Sequence, residues 1–374
     1  MRIDPRLDGF LEQHGLGRLR PETAKEQLGR NSNFLVVTTT GRQLFVKRIR
    51  MRGGDSLERF RACAAFDALR CSDAEVREQL RTAPLVAADE ELGFLAYEAV
   101  TGAESLALLA GDQENRIAEE HGAELGSILA AVHRLSADRV PERENEPVMP
   151  PVAWLDVLPW PVYQGSSAPA LQIWHRLQSD TEVRSALARL RADEKAARQC
   201  AVHGDVRLDQ FLVGSDGVLR LVDLEEFRRG DAARDVGAMV GEWLHRATLD
   251  LLGDRDTDPA AALGEVDLDH EDVVASGVAA LERRRPAVTR FWNAYRAAGG
   301  GSDDPAFLDR VTRFAGWHMF DRLIAAAENA SRISALHWGA AGIGRQALLH
   351  PRAAAPALGL PATTDHTALE EDAA

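Results

Sequence analysis

The residues with the most chemical content lie between positions 203 and 235. His203-Gly204-Asp205-Val206-Arg207-Leu208-Asp209-Gln210 is followed, after a turn, by Leu221-Val222-Asp223-Leu224-Glu225. One acid sits in a loop after a short strand, an amide follows five residues on, and a second acid ends the next strand. Phosphoryl transfer calls for such a set. It needs little covalent work from the protein, but it needs a carboxylate to orient an attacking hydroxyl and oxygen ligands for a hard cation. On this reading Asp205 receives the acceptor's proton, and Gln210 and Asp223 hold Mg²⁺. Arg207, two residues after Asp205, is a cation placed to approach the transferred phosphate. His203 reads as a structural residue beneath the loop, and Asp235 as a buried brace.

Strands and helices must carry these loops. Residues 33–49 are rich in Thr, Val and Phe and predict two strands around a Thr40-Gly41 turn. Residues 55–70 predict a helix, with Leu57, Phe60, Ala64 and Ala68 at helical spacing, and 94–100 are extended. The pattern then turns helical. Over 114–135, Ile117, His121, Leu125, Ile128, Leu129 and Val132 share one face. Residues 141–170 hold seven prolines, too many for a single helix, and read as a structured insertion or lid. Its Trp154 and Trp160, with Trp174, either pack the insertion down or line an acceptor pocket. Residues 171–198 are helical, short strands at 200–203 and 218–223 flank the catalytic loop, and 253–272 form an acidic loop. There Asp254, Asp256 and Asp258 read as solvated acids. Helices follow at 273–298 and 304–350, where His318, like His133 and His245 before it, reads as an ordinary helix residue. The predicted organisation is an α+β fold: a β-rich N-lobe over 1–100, a helical C-lobe over 101–351, and a disordered Ala/Pro-rich tail over 352–374.

Bulk properties narrow the function classes. The 374 residues fit two lobes, and 45 % hydrophobic with 27 % charged residues is ordinary for a globular protein. A net charge of −14 argues against a nucleic-acid partner and is compatible with a cationic small molecule or a basic peptide. Cys63, Cys71 and Cys200 are odd in number and form no CxxC pair, which argues against a disulfide framework or a cysteine metal site. The start has no apolar core of a signal peptide, and no apolar run reaches membrane-spanning length. A cytoplasmic protein without membrane attachment is expected.

The ordered set HGDVRLDQ, LVDLEE and Gly230-Asp231-Ala232-Ala233-Arg234-Asp235 resembles the aminoglycoside phosphotransferase branch of the protein-kinase-like superfamily. GSILAAVHRL (126–135) and FWNAYRAAGG (291–300) resemble helices of the same family, and the likeness spans roughly 25–350. The family has Asn where this chain has Gln210, whose amide oxygen stands on a longer stem. The resemblance implies a bilobal kinase-like fold and ATP with Mg²⁺. It implies that Lys47 on the second strand pairs with the nucleotide's α/β-phosphates and with an acid of the following helix, Glu58 or Asp67. It also implies that Gly29, Asn31 and Ser32 lie in the phosphate-covering loop, and that the backbone from Glu98 to Val100 forms the hinge that binds adenine.

The implied acceptor is a small hydroxylated molecule such as an aminoglycoside, another antibiotic, a sugar or choline. A second likeness leads elsewhere. GRNSNF, FVKR, RFRACAAFDAL and HGDVRLDQFLV are similar to kinase subunits of class V lanthipeptide and thioamitide synthetases. That likeness implies a precursor peptide phosphorylated on Ser/Thr, with separate lyase and cyclase partners, and it is the reading preferred from sequence. A pseudokinase scaffold that binds a peptide without transfer is the alternative that Gln210 motivates.

Overall fold

The structure is a computed structural model and describes residues 4–27, 31–51, 54–72, 74–109, 116–143, 149–256, 270–328, 330–333 and 335–362. The chain divides into two compact units. The first comprises 1–109, 131–146 and 199–229, and the second 110–130, 147–198 and 230–374. The catalytic loop, expected with the helical lobe, therefore clusters with the N-terminal sheet.

In the first unit, α1 (Arg6–Gln13) precedes β1 (Lys25–Gln27), β2 (Ser32–Val37) and β3 (Gln43–Arg48). Helix α2 (Gly54–Cys71), β4 (Leu85–Asp89) and β5 (Phe94–Glu98) follow. The five strands form an antiparallel sheet in the order β1-β2-β3-β5-β4. Alternation drives its assembly: Phe34 and Val36 on β2 and Leu44 and Val46 on β3 all point into one buried cluster. Leu7, Phe10 and Leu11 of α1 cover that cluster, and the Phe10 and Phe94 rings lie 5.2 Å apart. The β2–β3 turn falls at Thr40-Gly41 as expected, with Gly41 at φ 83°. Helix α2 buries Phe60, Cys63, Phe66 and Leu69.

A second, three-stranded sheet joins β6 (Glu104–Ser105) to strands later in the chain. After β7 (Gln199–Val202) come β8 (Phe211–Val213) and β9 (Leu219–Leu221), and the sheet order is β6-β8-β9. It fixes the two loops of interest, one between β7 and β8, the other after β9.

The second unit is helical. The long 171–198 stretch is two helices, because Ser167 caps Ala168–Ser179 and Asp180 caps Thr181–Ala196. Their hydroxyl and carboxylate oxygens accept from Ala170 N–H and Val183 N–H, each at 3.1 Å. The helix Ala306–Ala327 is buried along most of its length. It approaches the helix Ala335–Leu349 closely enough that a Cβ on Gly316 would meet the Gly344 carbonyl at 2.5 Å. The helix Ala232–Asp256 takes in the first two acids of the expected acidic loop. Asp258 and the rest of that loop to 269 lie outside the described residues.

The Pro-rich segment contains the turn Val152–Leu155 and the helix Trp160–Gly165, so it is structured where described. The tail expected to be disordered from Arg352 begins as structure: Pro351–Ala354 is helical, Ala355–Leu358 is a 3₁₀ turn, and Ala355, Leu358 and Leu360 are buried. Apolar leucines among the small residues give this segment something to bury, which composition alone concealed. Residues 363–374 lie outside the described residues. Among the described residues no helix is long and apolar enough to cross a membrane.

Candidate active site

The site is built from three pieces of the first unit: β3, the β7–β8 loop and the turn after β9. Lys47 on β3 pairs across the sheet with Asn33 and Leu95 and is 7 % exposed. Its ammonium donates to Asp223 Oδ1 at 2.6 Å and ion-pairs with Glu225. Burial opposes its charge, but the two carboxylates outweigh burial and hold its pKa above the ordinary lysine value. Burial likewise disfavours the charged Asp223 carboxyl, and Lys47 reverses the balance, leaving it below the usual carboxylate range.

Asp223 carries the backbone signature of a functional turn. At φ 65° and ψ 60° it is the one non-glycine residue in the left-handed region among the described residues. That conformation costs roughly 1–2 kcal/mol for an L-residue and is best tolerated by Asn and Asp. The strain turns the chain sharply out of β9, so that Asp223 and Glu225 both reach Lys47.

The catalytic loop is held from below. His203 is fully buried, with Nε2 3.2 Å from the Val222 carbonyl and Nδ1 accepting from the Asp205 N–H at 3.4 Å. That arrangement suits an imidazole protonated on Nε2 and anchors the loop to β9. Gly204 follows at φ 89°, where a Cβ would meet the Glu226 carbonyl at 2.5 Å. Asp205 is then presented with its side chain 45 % exposed. Its Oδ2 accepts from Arg207 at 2.8 Å and from Gln210 Nε2 at 3.4 Å.

Arg207, expected to meet phosphate, is bridged to Asp205 and, at 3.1 Å, to Asp209. Burial lowers its pKa, and these two carboxylates more than restore it, so the guanidinium stays charged. Gln210 is buried. Its Nε2 is used by Asp205, while its Oε1 has no hydrogen-bond partner among the described residues. Among those residues no group of three or more His, Cys, Asp or Glu side chains gathers as a metal site. The oxygen donors at hand are the orphaned Gln210 amide and the Asp223 carboxylate.

The remaining expected residues fall as follows. Asn31 donates to Glu225, tying the start of β2 to the same carboxylate. The Ser32 hydroxyl accepts from Arg50 at 3.3 Å. Gly29 lies outside the described residues. Glu98 ends β5 and is bridged to Arg42; its N–H and that of Ala99 are bound within the sheet region, to Pro84 and Gln43. Among the described residues the Val100 N–H donates to no backbone carbonyl.

The expected lysine–helix pair is corrected. Neither Glu58 nor Asp67 takes Lys47. Two carboxylates from the β9 turn already satisfy the ammonium, and Asp67 is engaged with Arg70 at 3.0 Å. On α2 the Cys63 thiol is buried, and burial pushes its pKa up to about 12. Sequence reasoning quoted Glu225 within the motif but gave it no role, and it passed over Glu226, Arg59 and Arg143, which have no local signature.

The profile described as the phosphotransferase enzyme family matches residues 27–268. No curated protein matches at a significant level. Among solved structures, amicoumacin kinase in complex with AMP-PNP, Ca²⁺ and Ami aligns with TM-score 0.53 and 14 % identity over 93 % of this chain and 94 % of its own. LicA in complex with AMP aligns at 0.51 and 14 % over 93 % and 98 %. Spectinomycin phosphotransferase in complex with ADP and spectinomycin aligns at 0.50 and 12 % over 91 % and 94 %. The shared architecture is the α+β kinase-like fold.

Proposed function

The chain belongs to the phosphotransferase enzyme family, and from that premise we propose how its own residues divide the transfer of a phosphoryl group from ATP to a hydroxyl. It is an ATP-dependent phosphotransferase with an alcohol acceptor. The observation that carries the assignment of roles is the Lys47–Asp223 contact at 2.6 Å, which brings the strand lysine onto the acid of the β9 turn.

Asp205 accepts the proton of the acceptor hydroxyl. The freed oxygen attacks the γ-phosphorus as the bond to the β–γ bridging oxygen breaks and ADP leaves. Arg207 holds the Asp205 carboxylate in place and contributes positive charge beside the transferred group. Lys47 exchanges a carboxylate for the α/β-phosphates, and Glu225 keeps it aimed. Glu98 to Val100 supply the adenine hinge, where the Val100 N–H is the donor. Asn31 and Ser32 border the phosphates. The donor set fits Mg²⁺: both ligands are oxygens, and the buried Gln210 Oε1 has no partner among the described residues. Gln210 and Asp223 would hold the ion, whose charge offsets that of the phosphates.

For the acceptor we favour a small hydroxylated molecule with an apolar face. In support, the helical unit carries an open groove of about 760 Å³ lined by Val157, Leu158, Trp160, Tyr163, Leu171 and Trp174. Its size falls in the range of roughly 300–1,000 Å³ usual for small-molecule sites. The solved kinases above are named for amicoumacin and spectinomycin. A precursor-peptide acceptor, with separate lyase and cyclase partners, is the second reading. The exposed Trp160, Tyr163 and Val157 favour it, since they also suit an apolar peptide side chain.

The test is purified protein with ATP and Mg²⁺, offered antibiotic, amino-alcohol and sugar panels beside Ser/Thr-containing precursor peptides, with phosphate adducts read by mass spectrometry. A phosphorylated small molecule is expected. A phosphopeptide would replace the first reading with the second. ATP binding with no transfer to any acceptor and no hydrolysis would leave a non-transferring scaffold.

A further inference from the structure

Glu226 takes no part in the transfer chemistry, yet three guanidinium groups converge on it. Arg228 lies at 2.6 Å, Arg143 at 2.8 Å and Arg59 at 3.2 Å. Arg228 is two residues further along the chain; the other two come from afar. Arg59 projects from α2, steadied at 2.9 Å by Asp55 one turn earlier. Arg143 lies beyond the helix Arg116–His133 and also donates to the Glu225 carbonyl. Burial works against the Glu226 charge, and Arg143, Arg228 and Arg59 together hold its carboxyl below the ordinary glutamate value.

The location gives the cluster its meaning. Glu226 directly follows Glu225, the partner of Lys47, and its carbonyl abuts Gly204 of the catalytic loop. The last backbone ladder bond before the turn is Val222 N–H to the Gln210 carbonyl at 2.9 Å. Beyond it the strained Asp223 is held chiefly by side chains. Helix α2, which gives Lys47 no acid, is joined to this turn through Arg59–Glu226 and the edge-on Phe66–Phe227 ring contact at 5.1 Å.

We propose that Arg59 and Arg143 are positioning residues for the nucleotide phosphates: through the shared Glu226 carboxylate they lock α2 and the Asp223–Glu225 turn in register. The helix-to-centre link thus has reversed polarity, with the cation on the helix and the acid on the turn. The inference rests on the ATP-dependent reading above. The Phe66–Phe227 contact is apolar and survives loss of the charges, so the helix stays packed while its register loosens.

The experiment measures ATP·Mg²⁺ affinity by calorimetry on wild type, Arg59→Met, Arg59→Lys, Arg143→Met, the double Met variant and Glu226→Gln. Methionine keeps an apolar stem and drops the charge. Arg59→Met should weaken ATP binding about tenfold, the effect of losing one partly buried charged pair. Alkylation of Cys63 in the folded protein should quicken, and Arg59→Lys should restore affinity to within about threefold. Because both arginines act on one carboxylate, the double variant should lose less than the product of the single losses. Unchanged affinity in Arg59→Met, or strictly multiplicative losses, overturns the proposal. So does a loss that Lys does not rescue and that only tracks the unfolded fraction. If Arg59→Met does not fold, Glu226→Gln decides, since wild-type affinity in that shape-preserving variant also overturns it. Wild type that binds no ATP would refute the functional reading itself, a result distinct from all of these.

Discussion

Both units bury charge, but they use it differently. In the helical unit Arg310 donates to Asp231 and Asp304 at 2.6 and 2.7 Å, Arg234 pairs with Glu194 at 2.6 Å, and His318 meets Glu242 at 2.8 Å. These groups are carried mainly on helices and are nearly all buried, so they act as braces. Around Lys47 two carboxylates share one ammonium, an amide oxygen is left without a partner, and the backbone is held left-handed. Asp205 and Asp223 also keep substantial exposure. A brace minimises its own electrostatic energy, whereas a site retains acceptors and strain for a ligand to resolve. The number of buried charges does not separate the two regions; the accessible carboxylates and the left-handed turn around Lys47 do.

Disabling one member of each set should break the comparison cleanly. Asp205→Asn should lower turnover by about 10²–10⁴-fold with the melting temperature unchanged, as expected for loss of a positioned base whose own side chain is half-exposed. Retention of wild-type turnover would remove Asp205 from the mechanism. Arg310→Leu should do the reverse. Stranding Asp231 should cost about 3–5 kcal/mol of stability, with the kcat of the folded fraction little changed.

The pH dependence of that cost follows from Asp231. Burial holds its pKa above the ordinary value despite Arg310. A raised folded pKa means its stabilising contribution is complete below the unfolded value, about 3.9, and is lost as pH rises through the folded one. Without Arg310 the folded pKa rises further, so the deficit in urea unfolding should shrink as pH is lowered toward the unfolded value. A deficit that stays constant would show that Asp231 is not the stranded charge.

What the sequence revealed follows the same division. Asp205, Gln210 and Asp223 were legible because they lie within 20 residues on loops whose flanking strands fix their spacing. Lys47 was legible as a strand residue, but its partners were not. Asp223 lies 176 residues away, and helical periodicity shows which face of α2 is apolar without showing what that face meets. Glu58 and Asp67 were therefore reasonable candidates by spacing, and the β9 turn supplies the carboxylates instead. Arg143 was invisible because its Pro-rich surroundings carry no periodic signal. Helix α1 and the turn at 355–358 were hidden by composition, since each depends on a few leucines or a phenylalanine finding a distant surface.

A subtler pair of variants separates the metal role of Asp223 from its backbone role. Asp223→Asn keeps a side chain that tolerates the left-handed region, and Glu225 remains to hold Lys47. It should unfold within about 0.5 kcal/mol of wild type yet lose Mg²⁺-dependent nucleotide binding. Asp223→Ala should lose the same binding and about 1 kcal/mol more stability, because alanine pays the full backbone strain. Equal stability in the two variants would show that the turn relaxes. Persistent Mg²⁺-dependent binding in either would sink the metal assignment.

The smallest effect is chemical and reads α2 directly. Thiol alkylation needs the thiolate, and burial pushes the Cys63 pKa to about 12, whereas Cys71 is exposed at the helix end. At pH 8 the Cys63 thiol is therefore almost wholly protonated, before any steric shielding. Iodoacetamide followed by peptide mass mapping should therefore mark Cys71 first and Cys63 only on unfolding. Because Cys63 lies on the buried face of α2, its protection measures how firmly that helix stays packed. Labelling of Cys63 at the rate of Cys71 in native buffer would mean that the helix opens freely, and the site would then gain its order from ATP rather than from the packed protein.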